Sequence, residues 1–185
     1  ILKGKFITLE GIDGSGKSTQ LRLIERYLSE SGHEVVMTHE PGGTPLGQKL
    51  RAAFLETEES VVPISELLLF AADRAQHVEH LIRPSLAEGK IVISDRYADA
   101  TAAYQGAGRG FDANTIAQVT KLATGGLKPD LTLFFDITVE TAFERMNVRH
   151  SAGTRANRMD GETFEFYQRV RDAYLSIAKN EPERV

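Results

Sequence analysis

Residues 11–18 read Gly-Ile-Asp-Gly-Ser-Gly-Lys-Ser, which fits the pattern G-x-x-x-x-G-K-[ST]. This pattern follows an apolar run at Phe6 to Leu9 and precedes a segment with helical spacing of apolar residues. In that context glycines let backbone N–H groups turn inward around the oxygens of a triphosphate, and Lys17 reaches the β- and γ-phosphates. The Ser18 hydroxyl can ligate Mg²⁺, and the helix that follows adds its N-terminal dipole. The sequence therefore predicts a phosphate-binding loop rather than a glycine-rich turn without chemistry.

Short apolar runs alternate along the chain with longer segments of helical periodicity. The runs predicted as buried strands are Phe6 to Leu9, Val35 to Thr38, Ile91 to Ser94 and Leu131 to Phe135. Strands that alternate with helices predict an α/β fold with a parallel sheet covered by helices on both faces. In such sheets ligands gather at the carboxyl ends of the strands, where the glycine-rich loop also lies.

Length, charge and cysteine content narrow the classes of function. A chain of 185 residues with 41% hydrophobic content is expected to fold as one domain. Its net charge of −4, without a basic block, argues against nucleic acid or a membrane surface as the main partner. The absence of cysteine excludes a disulfide framework and suits a reducing compartment. No apolar stretch approaches the ~20 residues that span a bilayer, so we expect a cytoplasmic protein.

A long helix is predicted at 65–88, capped by its first residue and bent near its end by a proline. Phe70 and Arg74 lie four residues apart and therefore share one face of this helix. An aromatic ring beside a guanidinium suits a nucleobase, which stacks on the ring and accepts a hydrogen bond at a carbonyl. From the residues alone, the alternative is favoured that Phe70 is core and that Arg74 pairs with Asp73 or Glu66 at the surface.

Two oppositely charged residues, Asp95 and Arg96, directly follow the third predicted strand. A carboxylate at a strand end near a phosphate-binding loop is expected to be an outer ligand of Mg²⁺. The adjacent guanidinium can hold a second phosphate through two hydrogen bonds. The alternative is a polar pair that only ends the strand.

An arginine-rich segment at about 148–160 follows a helix predicted at 139–147 and precedes another helix. It contains glycine and serine together with Arg149, Arg155 and Arg158. This composition predicts a mobile flap, whose arginines would close over transferring phosphates, exclude water and stabilise charge in the transition state. The alternative is a basic loop that is merely solvated.

Four segments in this order resemble the thymidylate kinase family. They read FITLEGIDGSGKSTQ from Phe6, EPGGT from Glu40, FAADR from Phe70, and DRY from Asp95 continuing through AYQG at 103–106. The resemblance covers nearly the whole chain and implies a single domain over 1–185 with the three-layer fold of P-loop nucleoside monophosphate kinases. It also implies phosphorylation of dTMP to dTDP with ATP and Mg²⁺ in dTTP biosynthesis, by a homodimer formed through helices. Relatives usually continue through a further strand and helix, which we expect to be absent here.

The resemblance assigns substrate contacts residue by residue. Phe70 would stack on thymine, Arg74 would bind a base carbonyl, and Tyr104 would lie under the deoxyribose where a 2′-hydroxyl would crowd it. Arg51 and Arg96 match positions that hold the acceptor phosphate. The positions that match dTMP-binding residues are Asp13, Arg51, Phe70, Arg74, Arg96, Thr101, Tyr104 and Gln105. The positions that match ATP-binding residues are Gly11, Ile12, Asp13, Gly14, Ser15, Gly16, Lys17, Ser18 and Thr19.

The family pattern also implies a catalytic set and a metal site. Because Gly14 stands where one subgroup carries an arginine, the catalytic arginines are expected to come from the flap. The implied catalytic residues are Lys17, Asp13, Arg96, Arg149, Arg155 and Arg158, with Arg158 the best placed of the flap arginines. Ser18 and Asp95 are the implied Mg²⁺ ligands.

Two other classes of function share some of these features. A deoxynucleoside kinase, or another nucleoside monophosphate kinase, would also use a phosphate-binding loop and an arginine-rich flap. A nucleoside kinase has a hydroxyl acceptor and therefore needs a carboxylate base. A GTP-binding switch would need a guanine-selecting N-K-x-D segment, which does not occur in this sequence.

Overall fold

A computed structural model of the chain describes residues 4–153 and 158–185. Within these residues the strands form a four-stranded parallel sheet in the order β2-β3-β1-β4. The strands are β1 Lys5–Glu10, β2 Val35–His39, β3 Ile91–Asp95 and β4 Leu131–Phe134. The predicted α/β fold with a parallel sheet is confirmed, and each strand end lies within one residue of its predicted position.

Strand register brings the functional loops to one edge of the sheet. Leu9 of β1 pairs with Asp95 of β3 on one side and with Leu133 of β4 on the other. On the far side of β3, the partner of Asp95 is His39, the last residue of β2. Because all strands are parallel, their carboxyl ends meet at this edge, where the phosphate-binding loop begins.

Helices separate the strands. The α-helices are α1 Lys17–Glu30, α2 Pro45–Leu55, α3 Pro63–His77, α4 Arg83–Ala87, α5 Ala98–Thr101, α6 Ala113–Thr124, α7 Val139–Ser151 and α8 Phe164–Asn180. Two π-helical segments, Val78–Ile82 and Ala102–Gly108, follow α3 and α5, and a 3₁₀ helix, Arg158–Gly161, precedes α8. No helix within the described ranges is long and apolar enough to cross a membrane.

The long helix predicted at 65–88 differs from the prediction in its start and its continuity. It begins at Pro63 after the N-cap Val62, so the prediction of Ser65 as its cap is wrong. Proline is well suited to the first helical turn because its missing N–H has no partner there. Near the other end, Pro84 cannot donate a hydrogen bond to the preceding turn, and the π-helical segment lies directly before α4, which contains it.

The helix before the predicted flap is longer than the prediction. It was expected to end at residue 147 but α7 continues to Ser151, so Arg149 lies on a helix rather than in a loop. The chain is described again from Arg158, the first residue of the 3₁₀ helix. Of the flap predicted at about 148–160, residues 154–157, including Arg155, lie outside the described residues.

Candidate active site

The tight fold of the glycine-rich loop after β1 requires three glycines with positive φ, namely Gly11, Gly14 and Gly16. Gly11 has φ +141°, and a Cβ there would lie 2.7 Å from the carbonyl oxygen of Phe135. Gly14 has φ +78°, and a Cβ there would lie 2.9 Å from the carbonyl oxygen of Ala142 in α7. These close approaches hold the loop against the end of β4 and against α7. Gly16, the N-cap of α1, has no side chain to satisfy the first N–H groups, which can therefore bind an anion.

Lys17 lies inside this loop. Its Nζ donates to the carbonyl oxygens of Gly11 at 2.9 Å and of Ile12 at 3.1 Å, and the residue is only 6% exposed. Burial and the charge of Arg96 lower the pKa of Lys17 to about 8. The ammonium group is therefore largely desolvated, and Lys17 lines a cavity over the loop. Its binding of phosphate oxygens stays a prediction.

A cavity of about 650 Å³ opens over the loop. Its lining combines the loop with residues from the ends of β2 and β3 and with basic residues of α2 and α7. The lining residues include Gly14, Ser15, Gly16, Lys17, Ser18, Thr19, His39, Arg51, Asp95, Arg96, Arg145 and Arg149. Five cations therefore face one cavity, an arrangement that suits a polyphosphate.

The donor set of this cavity fits a magnesium ion. Oδ1 of Asp95 is buried and has no hydrogen-bond partner among the described residues, which is costly for a carboxylate oxygen. Ser18 lines the same cavity. Within the described ranges no three His, Cys, Asp or Glu residues form a metal cluster. A hydroxyl and one carboxylate match Mg²⁺, which takes its remaining ligands from water and substrate phosphates.

Asp13 and Arg96 form the centre of the site. Nη2 of Arg96 donates to Oδ1 of Asp13 at 3.0 Å and to the hydroxyl of Tyr104 at 3.1 Å, while Nη1 donates to the carbonyl oxygen of Gly11 at 3.0 Å. Arg96 has φ +73°, a strained conformation for a non-glycine residue, and these contacts hold it there. Although burial opposes ionisation, Arg96 and Lys17 lower the pKa of Asp13 to about 2.

A second, narrower cavity of about 110 Å³ adjoins the first. The residues predicted to bind dTMP all line it: Asp13, Arg51, Phe70, Arg74, Arg96, Thr101, Tyr104 and Gln105. Residues that line both cavities are Asp13, Glu40, Arg51 and Arg96. The two spaces therefore adjoin at these four residues, which include Arg51 and Arg96. The individual roles of these residues stay predictions.

The structure contradicts the alternative of a surface Arg74 and agrees with a Phe70 that packs in the core. Arg74 is 2% exposed and donates to Glu40 at 2.7 Å, to Thr101 Oγ1 at 2.7 Å and to the carbonyl oxygen of Tyr97 at 2.8 Å. Pairing of Arg74 with Asp73 or Glu66 at the surface is therefore wrong. Phe70 packs edge-on against Phe54, with ring centroids 4.8 Å apart, and also lines the narrow cavity. It serves both the core and the cavity.

Glu40 has a position that sequence reasoning missed. Its carboxylate is buried, receives the Arg74 hydrogen bond at Oε2, and lies 2.8 Å from Nδ1 of His77 at Oε1. His77 Nε2 lies 2.7 Å from the hydroxyl of Thr38. The sequence does contain Glu40 in the turn after β2 and Arg74 and His77 near each other in α3. That Glu40 pairs with the other two depends on the tertiary fold.

Two arginines of α7 line the larger cavity. Arg149 lines the large cavity and donates to Asp160 at 3.2 Å. Arg145, which was not predicted, lines the same cavity and donates to the carbonyl oxygen of Gly14 at 3.1 Å. The i, i+4 spacing of these two arginines on one helix was the signal available in the sequence.

Arg158 differs from the expectation that it is the best placed flap arginine. It lines neither cavity, and instead donates to Oε2 of Glu66 at 2.5 Å and to the carbonyl oxygen of Phe54 at 3.1 Å. The buried carboxylate of Glu66 attracts the cation away from the phosphate-binding loop. A catalytic role for Arg158 stays a prediction.

Comparison with known proteins gives one consistent family. A thymidylate kinase family profile matches residues 9–185. A thymidylate kinase of Geotalea uraniireducens is 49% identical over 186 residues, covering 98% of this chain and 86% of the relative. One of Caldanaerobacter subterraneus is 44% identical over 183 residues, covering 99% and 86%. The crystal structure of thymidylate kinase from Ehrlichia chaffeensis superposes with a TM-score of 0.80 at 41% identity, covering 98% of this chain and 90% of the other.

Proposed function

Since the chain belongs to the thymidylate kinase family, we propose that it transfers the γ-phosphoryl group of ATP to dTMP and so forms dTDP for dTTP biosynthesis. One observation carries the detailed proposal: the cavity over the phosphate-binding loop and the cavity beside Phe70 meet at Asp13, Arg51 and Arg96. Two anionic nucleotides bound in these spaces would therefore face each other through their phosphates. In-line transfer requires this end-to-end arrangement.

ATP occupies the larger cavity in this proposal. Backbone N–H groups of residues 11–19 and the Lys17 ammonium bind its β- and γ-phosphates. Ser18 and Asp95 would hold Mg²⁺, which when bound neutralises phosphate charge that develops during transfer. Arg145 and Arg149 of α7 face the same cavity and stabilise the transferring group, and Arg155 is a further contributor proposed from the family resemblance.

dTMP occupies the narrower cavity. Arg51 and Arg96 hold its phosphate at the junction, while Phe70, Arg74, Thr101 and Gln105 surround the base and Tyr104 lies against the sugar. Arg74 donates through three N–H groups to Glu40, Thr101 and Tyr97, and a guanidinium has five. So far as the described residues go, two N–H groups therefore remain for a base carbonyl.

The transfer step needs no general base. An oxygen of the dTMP phosphate, largely dianionic at neutral pH, forms a bond to the γ-phosphorus as the bond from that phosphorus to the bridging oxygen of ADP breaks. Asp13 stays ionised because its pKa is about 2, so its part is to orient Arg96 rather than to take a proton. Alignment and charge neutralisation supply the rate enhancement.

The proposal extends to a homodimer and a cytoplasmic location. Exposed apolar side chains occur on α2, α3 and α6 and just before α3, namely Leu46, Val62, Ile64, Leu68 and Leu122. α3 packs against both α2 and α6. Apolar side chains exposed on neighbouring helices support a contact with a second copy. Light scattering of the purified protein measures its oligomeric state.

A coupled assay of ADP release tests the proposed reaction. With ATP and Mg²⁺, dTMP should support turnover and thymidine should not. Lys17→Ala should lose at least about 10³-fold in kcat/KM, since the charge on the transferring phosphates is then uncompensated. Turnover of thymidine in preference to dTMP would favour a deoxynucleoside kinase, and near-normal turnover of Lys17→Ala would overturn the assignment of the loop.

A further inference from the structure

Glu66, in the first turn of α3, lies at the centre of a polar cluster outside the two cavities. It is fully buried, and it is not among the residues that line either cavity. Its Oε1 accepts from Gln105 Nε2 at 2.8 Å and from Arg109 Nε at 3.1 Å. Its Oε2 accepts from Arg109 Nη2 at 3.0 Å and from Arg158 Nη2 at 2.5 Å. One buried carboxylate therefore holds side chains from two separate segments of the chain.

Both of these segments contribute to the wall of the narrow cavity. Gln105 belongs to the π-helical segment Ala102–Gly108 and lines the cavity directly. Arg158 begins the 3₁₀ helix whose next residue, Met159, also lines the cavity. Nη2 of Arg109 lies 3.5 Å from Sδ of Met159, which adds a second connection between the segments. Glu66 thus joins two parts of the cavity wall without touching the cavity.

The negative charge of Glu66 balances positive charge in the cluster. Arg109 and Arg158 bring two cations, and Glu162, with a 2.6 Å contact to Arg109, supplies the second anion. Loss of the Glu66 charge would leave Arg158 without this partner and place a net positive charge in a largely desolvated region. Although burial opposes ionisation, hydrogen bonds from Arg109, Gln105 and Arg158 lower the pKa of Glu66.

We propose that Glu66 is a positioning residue that couples occupation of the dTMP-binding cavity to the order of the 3₁₀ helix Arg158–Gly161. Its single carboxylate holds Gln105 in the segment Ala102–Gly108 and Arg158 at the start of the segment Arg158–Gly161. A nucleotide that reduces the motion of one segment therefore also reduces the motion of the other. This inference rests on the proposed binding of dTMP in the narrow cavity. The same link predicts that loss of the Glu66 charge raises the KM for dTMP more than the KM for ATP.

Glu66→Gln is the variant that tests this link, because it keeps the shape of the side chain and removes its charge. In steady-state kinetics we expect the KM for dTMP to rise by about 10-fold, with the KM for ATP changed by less than about twofold. By amide hydrogen exchange, dTMP should slow exchange at residues 158–161 in the natural protein and no longer do so in Glu66→Gln. A purely structural role would lower the melting temperature without removing this response to dTMP.

Glu162→Gln is the matched control, since Glu162 contacts Arg109 and, among the described contacts, neither Gln105 nor Arg158. It should keep the slowed exchange at 158–161. The inference is overturned if Glu66→Gln has the same KM for dTMP and the same slowing of exchange as the natural protein. It is also overturned if Glu162→Gln raises the KM for dTMP and removes the slowing of exchange as much as Glu66→Gln does.

Two further measurements keep the test decisive. If Glu66→Gln does not fold, Arg158→Gln replaces a partly exposed side chain and should also lose the response to dTMP; retention of the response in that variant overturns the inference. Turnover of dTMP by the natural protein is measured first, so that a failure of the proposed reaction is distinguished from a failure of the coupling.

Discussion

Asp13 and Arg96 are joined by a 3.0 Å ion pair that spans two loops, one after β1 and one after β3. Both residues line the two cavities, so this pair lies where the proposed donor and acceptor phosphates meet. The Arg96 guanidinium also lies over the ring of Tyr104, 4.8 Å from its centroid. The carboxylate of Asp13 and the ring of Tyr104 therefore hold the guanidinium of Arg96 in place at the junction of the two cavities.

Arg96→Lys should lower kcat/KM for dTMP by about 10²-fold, because a lysine ammonium cannot reproduce the planar contacts to Asp13, Tyr104 and a phosphate at once. Arg171→Lys is the matched control, since Arg171 forms a two-point ion pair with Asp136 and lines neither cavity. Steady-state kinetics of both variants measure the difference. A similar decrease of kcat/KM for dTMP in the two variants would show that the planar guanidinium of Arg96 has no special role.

The pKa of Lys17, about 8, predicts the pH dependence of ATP capture. As the pH rises from about 7 to about 9, the free enzyme loses the ammonium charge and kcat/KM for ATP should fall. Bound phosphates favour the charged form, so kcat should fall only at higher pH. Because the folded pKa lies below that of an exposed lysine, the contribution of Lys17 to the free energy of unfolding rises with pH across this window. A kcat/KM profile that stays flat over this range would contradict the prediction.

Arg145→Gln should lower kcat by about 10-fold and leave the KM for dTMP nearly unchanged, since Arg145 faces only the larger cavity. Arg26→Gln, which removes one charge from the exposed face of α1, controls for a general effect of net charge. Single-turnover kinetics separate the transfer step from product release. An unchanged rate of transfer in Arg145→Gln would remove this arginine from the proposed catalytic set.

Asp95→Asn should raise the Mg²⁺ concentration needed for half-maximal activity by about 10-fold, because a neutral amide is a weaker ligand for a hard cation. The measurement is a Mg²⁺ titration at constant ATP, with Asp136→Asn as the control at an exposed carboxylate. If both variants titrate like the natural protein, Asp95 is not part of the metal site.

Nucleobase selectivity should follow from the narrow cavity. A missing methyl group costs about 1 to 3 kcal/mol in an apolar pocket, so dUMP should be a poor but detectable acceptor. dCMP should be worse, because its amino group would point a donor at the donors of Arg74. Acceptor competition in the ADP-release assay measures both. Equal use of dTMP and dCMP would remove Arg74 from base recognition.

Local sequence signals predicted much of this molecule. The strands and the phosphate-binding loop depend on short-range patterns, namely apolar runs and glycines at fixed spacings, and they lie where those patterns indicated. The residues expected at the dTMP site came from motifs of the thymidylate kinase family, and they line one cavity in the structure. Chain order places the motifs at residues 11–18, 40–44 and 95–106 after strand ends, which a parallel sheet brings together, whereas Phe70 and Arg74 reach the same cavity from α3.

Pairing between distant charges was decided only by the tertiary structure. Arg74 had two acidic neighbours in sequence but pairs with Glu40, 34 residues away, and Arg158 pairs with Glu66, 92 residues away. These pairings depend on which charged side chains are buried next to each other in the folded protein. A buried carboxylate loses its hydration, so it is stabilised by pairing with a cation that the fold places beside it. The phosphate-binding loop could therefore be predicted from the sequence. The partners of Glu40 and Glu66 could not, because they are brought together only when distant segments fold against each other.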